Sequence, residues 1–442
     1  MLNANHDADA IYRSFQFGRI ADLRAALSAE DLQGLIGQAR QIALTAPPRV
    51  EQVIDVLDRL ASDWTDAGSR SHALICSYLG NAGIAGSSVG LFFSEIGKIF
   101  SKNVLQQRWQ RAIGNHTVAP VGLVLHIGAT NTLVSGIDGL VDGLLSGNVN
   151  FYKFSTPDGG FPGLFIASLL VADHDRILAG RLAAFWWKGG DPDIEALFKA
   201  SVDRVIVWGG ADAVINWHTG LSYSARLLSH GPKYGIGVLT AAGLQQAELK
   251  RLCKNIVMDV SNWDQKACNN LQALFVEDSI PVPQWEAFLE CLYATFQEVF
   301  YDALPVRSTD DYVDIVSARE LIKAESIVRG GVRLICPVEN SWSMAVWSEW
   351  KSGLIPSPLC RFLHIIKFSD FSTIVHGLKQ EKYWMQTMAY ACSESERENV
   401  IGMAKVLGLT RICGFGDMIL SSSIEPHDGG YDLSQLVNMI AV

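Results

Sequence analysis

From residue 120 onward, short apolar runs alternate with segments of helical periodicity, and this alternation narrows the fold more than any other feature of the 442-residue chain. The runs are Val121–Ile127, Val149–Phe154, Ala183–Trp187, Arg204–Trp208, Tyr234–Leu239, Ile256–Val260, Leu271–Val276, Leu363–Phe368 and Arg411–Gly414. Between them, helical spacing fits Leu133–Leu145, Phe161–Val171, Ile194–Ala200, Trp285–Phe300, Ile315–Val328 and Glu394–Leu407. Strands that alternate with helices predict a parallel, doubly wound α/β architecture, and this length accommodates two such sheets. Residues 1 to about 110 read mainly as helices, with apolar residues three and four apart over 20–44 and 50–60 and a break at Pro47-Pro48. The acidic stretch Ser308-Thr309-Asp310-Asp311 reads as a solvated loop.

Composition excludes several function classes. Apolar residues make up 49% of the chain and charged residues 19%, too apolar for a disordered protein. Lys and Arg number 36 against 46 Asp and Glu, a formal charge of 36 − 46 = −10, so the basic surplus of a nucleic-acid binder is missing. The most apolar stretch, Phe161–Ala172, contains Pro162 and Gly163 and falls short of the roughly 20 residues of a membrane span. The first residues lack the basic start and apolar core of a secretory signal, and the expectation is a soluble, cytoplasmic protein. Eight scattered cysteines form no CxxC pair and show no metal-ligand spacing, which fits a reducing compartment and predicts no metal.

Familiar nucleotide and hydrolase motifs fail on context. Gly235-Ile-Gly237 and Gly414-Phe-Gly416 lack the third glycine and following helix of a dinucleotide fingerprint. Gly86-Ser87-Ser88-Val89-Gly90 matches GxSxG by letters, but the residues before it, His72–Leu79, read as helix where a nucleophile elbow needs a strand. Two other stretches carry the chemistry. One runs from Pro120 through Gly122 to His126, Gly128 and Asn131, then from Gly147-Asn148 to Lys153: two apolar strands ending in polar residues, where open α/β sheets place ligand groups. The other is Trp263-Asp264-Gln265-Lys266-Ala267-Cys268-Asn269-Asn270-Leu271-Gln272, a cysteine in an amide-rich loop just before a strand. His126, inside an apolar strand, reads as a packed core histidine.

On these residues the chain resembles the aldehyde dehydrogenase superfamily from about residue 120 to its C-terminus. That family carries a P-x-G strand whose asparagine follows the proline by eleven residues, matched here by 131 − 120 = 11. Its G-N-x-x-x-x-K is matched by Gly147-Asn148 and Lys153, and its nucleophilic cysteine lies about eight residues before a strand end, as Cys268 does before Val276. Within the superfamily the chain is most similar to acyl-CoA reductases of the bioluminescence fatty-acid reductase type. The matching segments are Gly231-Pro232-Lys233-Tyr234, Asp264-Gln265 with Ala267-Cys268, Pro358-Leu359-Cys360-Arg361 and Pro426-His427-Asp428-Gly429.

The resemblance implies an α/β, aldehyde dehydrogenase-like fold of two doubly wound α/β domains plus a small oligomerisation hairpin or tail. Residues 1–107 and 120–230 would bind cofactor, with a helical N-terminal part; 231–421 would carry the cysteine; 108–119 and 422–442 would bridge subunits of a homo-oligomer. It implies Cys268 as nucleophile, with the Asn131 amide and the Cys268 backbone N–H as oxyanion donors. Lys153 would bond the adenosine ribose, and Gly209-Gly210 would form the turn near the pyrophosphate. Where NAD-specific relatives have a glutamate three residues after the lysine, this chain has Ser155-Thr156, whose hydroxyls can donate to a 2′-phosphate, so the expected cofactor is NADPH. Ordinary members carry a deacylating glutamate in Glu-Leu-Gly-Gly-Lys; here the segment is Ser229-His230-Gly231-Pro232-Lys233, with Ser229 in its place. Their E-x-F-G-P ribose grip is replaced by Ser357-Pro358-Leu359-Cys360-Arg361. Further active-site candidates are His230, Arg361, His427 and Asp428.

The expected reaction is reduction of a fatty acyl thioester, on CoA or a carrier protein, to the aldehyde through an acyl-Cys268 intermediate. An acyl-protein synthetase or acyltransferase is the implied partner. Two alternatives stand beside it: an aldehyde dehydrogenase working oxidatively, and a non-catalytic scaffold subunit of an acyl-transfer complex.

Overall fold

The Val-, Leu- and Ile-rich runs become inner strands of two parallel sheets because both faces of each run must be covered. A computed structural model describes residues 13–22, 27–81, 87–129, 136–300, 307–420 and 423–441. The chain separates into two units, residues 1–231 with 422–442, and residues 232–421.

The first unit contains β1 (Arg13–Gln16), β2 (Arg19–Asp22), β3 (Thr117–Pro120), β4 (Leu123–Ile127), β5 (Val149–Lys153), β6 (Leu182–Phe185), β7 (Arg204–Trp208) and β8 (Arg226–His230). Its seven-stranded sheet runs β2-β1-β6-β5-β4-β7-β8. Strands β4 to β8 are parallel, and the β1–β2 hairpin joins antiparallel to β6. The chain winds outward from β4 to β6, then returns to the other side of β4 as β7. That reversal creates a topological switch point, beyond whose carboxyl strand ends such sheets bind ligands. The helix Gly160–Ala172 is apolar on nearly every side because the N-terminal helices cover it: Phe161 and Phe165 meet Trp64, and Phe92 and Phe100 close on the same pair. Helical spacing from residue 20 was misleading, since Arg19–Asp22 is a strand and the helix starts at Ala29 behind a Ser28–Asp31 capping box.

Motif residues of this unit are partly architectural. Gly122 sits at φ +127°, and a Cβ there would run into the Asp203 carboxylate that accepts from Leu123 N at 2.8 Å. Asn148 is buried and satisfied: its oxygen accepts from Gly122 N at 2.8 Å, and its amide donates to Leu436 O at 2.8 Å and to Ser146 Oγ at 2.7 Å. His126 is buried in β4 against Asn150 at 2.9 Å.

The second unit contains β9 (Tyr234–Leu239), β10 (Leu271–Glu277), β11 (Val332–Ile335), β12 (Ser343–Trp347), β13 (Phe362–Phe368), β14 (Met385–Ala391) and β15 (Arg411–Gly414), ordered β11-β12-β13-β10-β9-β14-β15. All its neighbouring strands are parallel except β11 with β12. One core lies under the helices Leu249–Ser261 and Val282–Phe300, a second under Phe371–Leu378 and Arg397–Val406. The run Ile256–Val260, expected as a strand, is the buried face of helix Leu249–Ser261; a five-residue apolar run does not distinguish the two. Ser308–Asp311, expected as a solvated loop, is the capping box of helix Thr309–Val328. Returning to the first unit, β16 (Val437–Ile440) pairs antiparallel with β3 in a separate two-stranded sheet. Among the described residues no helix is long and apolar enough to cross a membrane.

Candidate active site

Cys268 is half-buried in a loop between the turn Asn262–Gln265 and β10, at the amino edge of the second unit's sheet. The backbone entering this loop is unusual. Trp263, Asp264 and Gln265 are left-handed in succession, at φ 52°, 52° and 64°, and so are Leu359, Cys360 and Arg361, at 59°, 55° and 69°, just before β13. Side chains that are not glycine enter this region at a cost of about 1–2 kcal/mol each, so the surroundings must impose it.

Arg307, whose side chain is 1% exposed, supplies most of that constraint. It donates to both oxygens of Asp264 at 3.2 and 3.3 Å and to the carbonyls of Asn340 (2.6 Å), Ser341 (3.2 Å) and Cys360 (2.7 Å). Arg361 forms a second ion pair with Asp264 at 2.8 Å, its guanidinium lying 4.1 Å above the Phe300 ring. The Cys360 N–H donates to Asp264 O at 3.1 Å. Fully buried Gln265 ties the same two segments together, donating to Leu271 O (2.7 Å) and Phe362 O (3.0 Å) while accepting from Phe362 N (2.7 Å).

Amides flank the cysteine on its other side. Asn270 accepts from Ala267 N at 2.9 Å and donates to Asp259 O at 2.8 Å, and Asn269 donates to Met418 O at 2.8 Å. Burial pushes the Asp259 carboxyl up to about 7 against the pull of the Gly416 and Met418 amides it accepts from. Lys266 pairs with Asp311 at 2.9 Å, which brings the misread acidic cap into the support of the loop. Among the described residues, the Cys268 backbone N–H has no hydrogen-bond acceptor. Asn131, the expected second oxyanion donor, lies outside the described residues.

The first unit gathers its candidates at the carboxyl edge of its sheet. Lys153 ends β5 and is buried; desolvation lowers its pKa, its ammonium donates to Phe154 O at a long 3.4 Å, and the Trp187 ring lies 5.2 Å away. A buried ammonium with three donors and one distant acceptor fits a ribose diol. Gly209 and Gly210 lie between β7 and the helix Ala211–His218, so a helix N-terminus opens toward the switch-point edge, a fit for pyrophosphate. The residues present therefore suit a nicotinamide dinucleotide. Ser155 donates to Ala129 O at 3.3 Å, while Thr156 donates to Asp158 Oδ1. Asp158 was missed in the sequence because it lies five residues after Lys153, beyond the position compared.

Ser229 is exposed near the end of β8, and His230 beside it is buried. His230 places Nδ1 3.0 Å from Asp428 Oδ2 and Nε2 2.7 Å from Asp432 Oδ2, and its ring stacks on Trp208 at 4.1 Å. Burial opposes charge on the ring, but the two carboxylates outweigh it and raise the pKa. His427 Nδ1 lies 3.3 Å from Asp428 Oδ2 in the same cluster. Asp432, three residues beyond the matched motif, gave no signal in the sequence.

The acyl-CoA reductase (LuxC) family profile matches residues 45–439. The chain belongs to that family. Long-chain acyl-protein thioester reductase from Vibrio harveyi is 24% identical over 327 residues, covering 73% of this chain and 64% of that protein. Long-chain acyl-protein thioester reductase 2 from Photobacterium leiognathi is 26% identical over 328 residues, with the same shares covered. The chain thus aligns with somewhat under two thirds of these relatives. Among solved structures, aldehyde dehydrogenase 21 from Physcomitrella patens superposes with a TM-score of 0.74 at 10% identity, covering 97% of this chain and 96% of that one. An NAD-dependent benzaldehyde dehydrogenase from Corynebacterium glutamicum gives 0.72 at 12% identity, covering 97% of each. At such identities the likeness establishes the fold, which is aldehyde dehydrogenase-like.

Proposed function

We propose that this chain reduces an acyl thioester to the aldehyde with NADPH, through an acyl-Cys268 intermediate. The observation that carries the reading is the Cys268 loop, whose two left-handed turns are fixed by Arg307, Gln265 and Asp264, with a half-buried thiol beside a backbone N–H that has no acceptor among the described residues. The Cys268 thiolate attacks the thioester carbonyl, forming a C–S bond; the Cys268 N–H and the Asn131 amide stabilise the oxyanion. Collapse breaks the original C–S bond and expels CoA or the carrier thiolate, which takes up a proton. Lys153, Ser155, Thr156, Gly209 and Gly210 would hold a reduced nicotinamide dinucleotide, which would supply the hydride to the acyl carbon. The resulting thiohemiacetal releases aldehyde and regenerates the Cys268 thiol.

Hydrolysis of the intermediate needs a base, and none stands at the family position. Ser229 is a hydroxyl without carboxylate chemistry, and both ring nitrogens of His230 are already engaged by aspartates, so neither activates a water. Arg361, paired with Asp264, acts by positioning the loop. In this reading residues 231–421 are the catalytic domain, 1–107 and 120–230 bind cofactor, and 108–119 and 422–442, which carry most of β3 and all of its antiparallel partner β16, bridge the subunits of a cytoplasmic homo-oligomer. The names of the relatives favour a long-chain acyl group on a protein carrier, with acyl-CoA as an alternative donor; an acyl-protein synthetase or acyltransferase is the proposed partner that loads the carrier. NADH is a second reading for the cofactor, favoured by the Asp158 carboxylate on Thr156.

Intact-protein mass spectrometry after mixing with a long-chain acyl-CoA, without nicotinamide, tests the scheme. The expected adduct forms on the natural chain, persists, and is absent from Cys268→Ala. An adduct that survives in Cys268→Ala, or rapid release of free acid, overturns it.

A further inference from the structure

One cluster has a composition that acyl transfer does not use. Two imidazoles and two carboxylates, His230, His427, Asp428 and Asp432, converge at the carboxyl edge of the first sheet. His230 comes from the end of β8, whereas the other three come from the segment 423–441. The imidazoles and carboxylates here share protons between them, and a divalent cation can replace those protons as the charge that balances the two carboxylates.

The distances suit a metal ion. Around one tetrahedral zinc, ligand atoms at roughly 2.0–2.2 Å from the ion lie about 3.3 Å from each other. His230 Nδ1 is 3.0 Å from Asp428 Oδ2, and His427 Nδ1 is 3.3 Å from the same oxygen. One ligand atom from each of these three residues fits within 4.8 Å of the others. A second, independent feature is Asp432. Its Oδ2 lies 2.7 Å from His230 Nε2, placed to accept that N–H when a metal ion takes the place of the proton on Nδ1. A metal-bound histidine characteristically hands its other N–H to a carboxylate in this way. The Trp208 ring, stacked at 4.1 Å and 26°, fixes the plane of the imidazole. The turn presenting His427 and Asp428 is closed by His427 N to Gly430 O at 2.8 Å and Gly430 N to His427 O at 3.0 Å, with Asp428 left-handed at φ 48°.

We propose that His230 Nδ1, His427 Nδ1 and the Asp428 carboxylate form a site for a divalent transition cation of the zinc type, with Asp432 orienting His230 and water as fourth ligand. The site fastens the segment 423–441 to β8. The cysteines had directed sequence reasoning away from metals, and these ligands escaped because almost 200 residues separate His230 from His427. The inference stands independently of the thioester chemistry.

The test is metal binding by the full-length chain after chelator treatment. Zinc titrated against a chromogenic indicator should occupy one high-affinity site, and cobalt(II) should give the visible bands of a tetrahedral nitrogen–oxygen set without thiolate charge transfer. His427→Ala should abolish that site, while His174→Ala, at an exposed turn, should leave it intact. Asp432→Asn, which is close to isosteric, should weaken zinc binding about 10- to 100-fold and serves if His427→Ala fails to fold. Absence of stoichiometric binding, unchanged affinity in Asp432→Asn, or a cobalt–thiolate spectrum abolished by cysteine alkylation overturns the proposal.

Discussion

Replacing Arg307 by Met is the sharpest perturbation of the Cys268 loop. The guanidinium is 1% exposed and uses its donors on Asp264 and on the carbonyls of Asn340, Ser341 and Cys360. Methionine has similar length and fills the space, but it leaves three buried carbonyls without that donor and Asp264 with Arg361 alone. Breaking a buried ion pair from one side costs about 3–5 kcal/mol, and each orphaned carbonyl adds to the same penalty. With a urea slope of about 2 kcal/mol/M, the unfolding midpoint of the second unit should fall by about 2 M. Arg307→Lys should fall between, since an ammonium keeps the charge but cannot span four acceptors in a plane. Acyl-adduct formation on Cys268 should slow in both variants under conditions where they remain folded, because the left-handed turns at 263–265 and 359–361 lose their shared clamp. A midpoint for Arg307→Met within about 0.3 M of the natural chain, with unchanged acylation, would refute the assignment.

Three further outcomes are expected. His364 is neutral in the fold, held down to about 4 by burial, with Nδ1 accepting from Trp347 Nε1 at 3.2 Å; its contribution is present above the unfolded pKa near 6.5 and is lost as pH falls toward 4, by up to about 3 kcal/mol. Melting temperatures across pH 4–7 should show that acid limb, shallower in His364→Gln; identical limbs would contradict it. Gly143→Ala should destabilise the first unit by about 1–3 kcal/mol in chemical denaturation, because the added Cβ falls on Asn150 Oδ1 and within 2.9 Å of His126 Nε2, and a neutral result would mean the pair yields freely. Thr156→Glu should move cofactor preference from NADPH toward NADH and Asp158→Asn the opposite way, measured as the ratio of kcat/KM values; no movement in either would place the 2′-position elsewhere.

How much of this was legible in the sequence depended on range. Strands such as Val149–Lys153 and Tyr234–Leu239 announced themselves because a doubly covered strand is buried at every position and so mostly apolar. The Cys268 loop stands out in the sequence because an amide-rich stretch surrounds the cysteine just before a strand, at the spacing the resemblance expects. Ile256–Val260 misled, since burial alone sets its composition and helix and strand look alike over five residues. Arg307 was invisible for a different reason. Its partners sit at 264, 340, 341 and 360, and no local pattern encodes contacts across such separations. Asp432 and Asp158 escaped likewise, each a single carboxylate whose meaning comes only from what it touches.

The topology also sets an order of assembly during synthesis. Residues 232–421 are continuous in the chain, so every strand of their sheet has been synthesised before β16 is made. The first unit has no such independence. Leu436 completes a small core with Val124 and Ile206, Arg204 donates to Gln435 O at 2.9 Å, and Asn148 donates to Leu436 O at 2.8 Å. Until residues 435–440 emerge, the nascent protein leaves the apolar patch of Val124 and Ile206 on β4 and β7 uncovered, together with the unpaired edge of β3. A chain broken off between residues 421 and 435 therefore carries a finished insert and an unfinished host, recognisable to chaperones by that exposed patch.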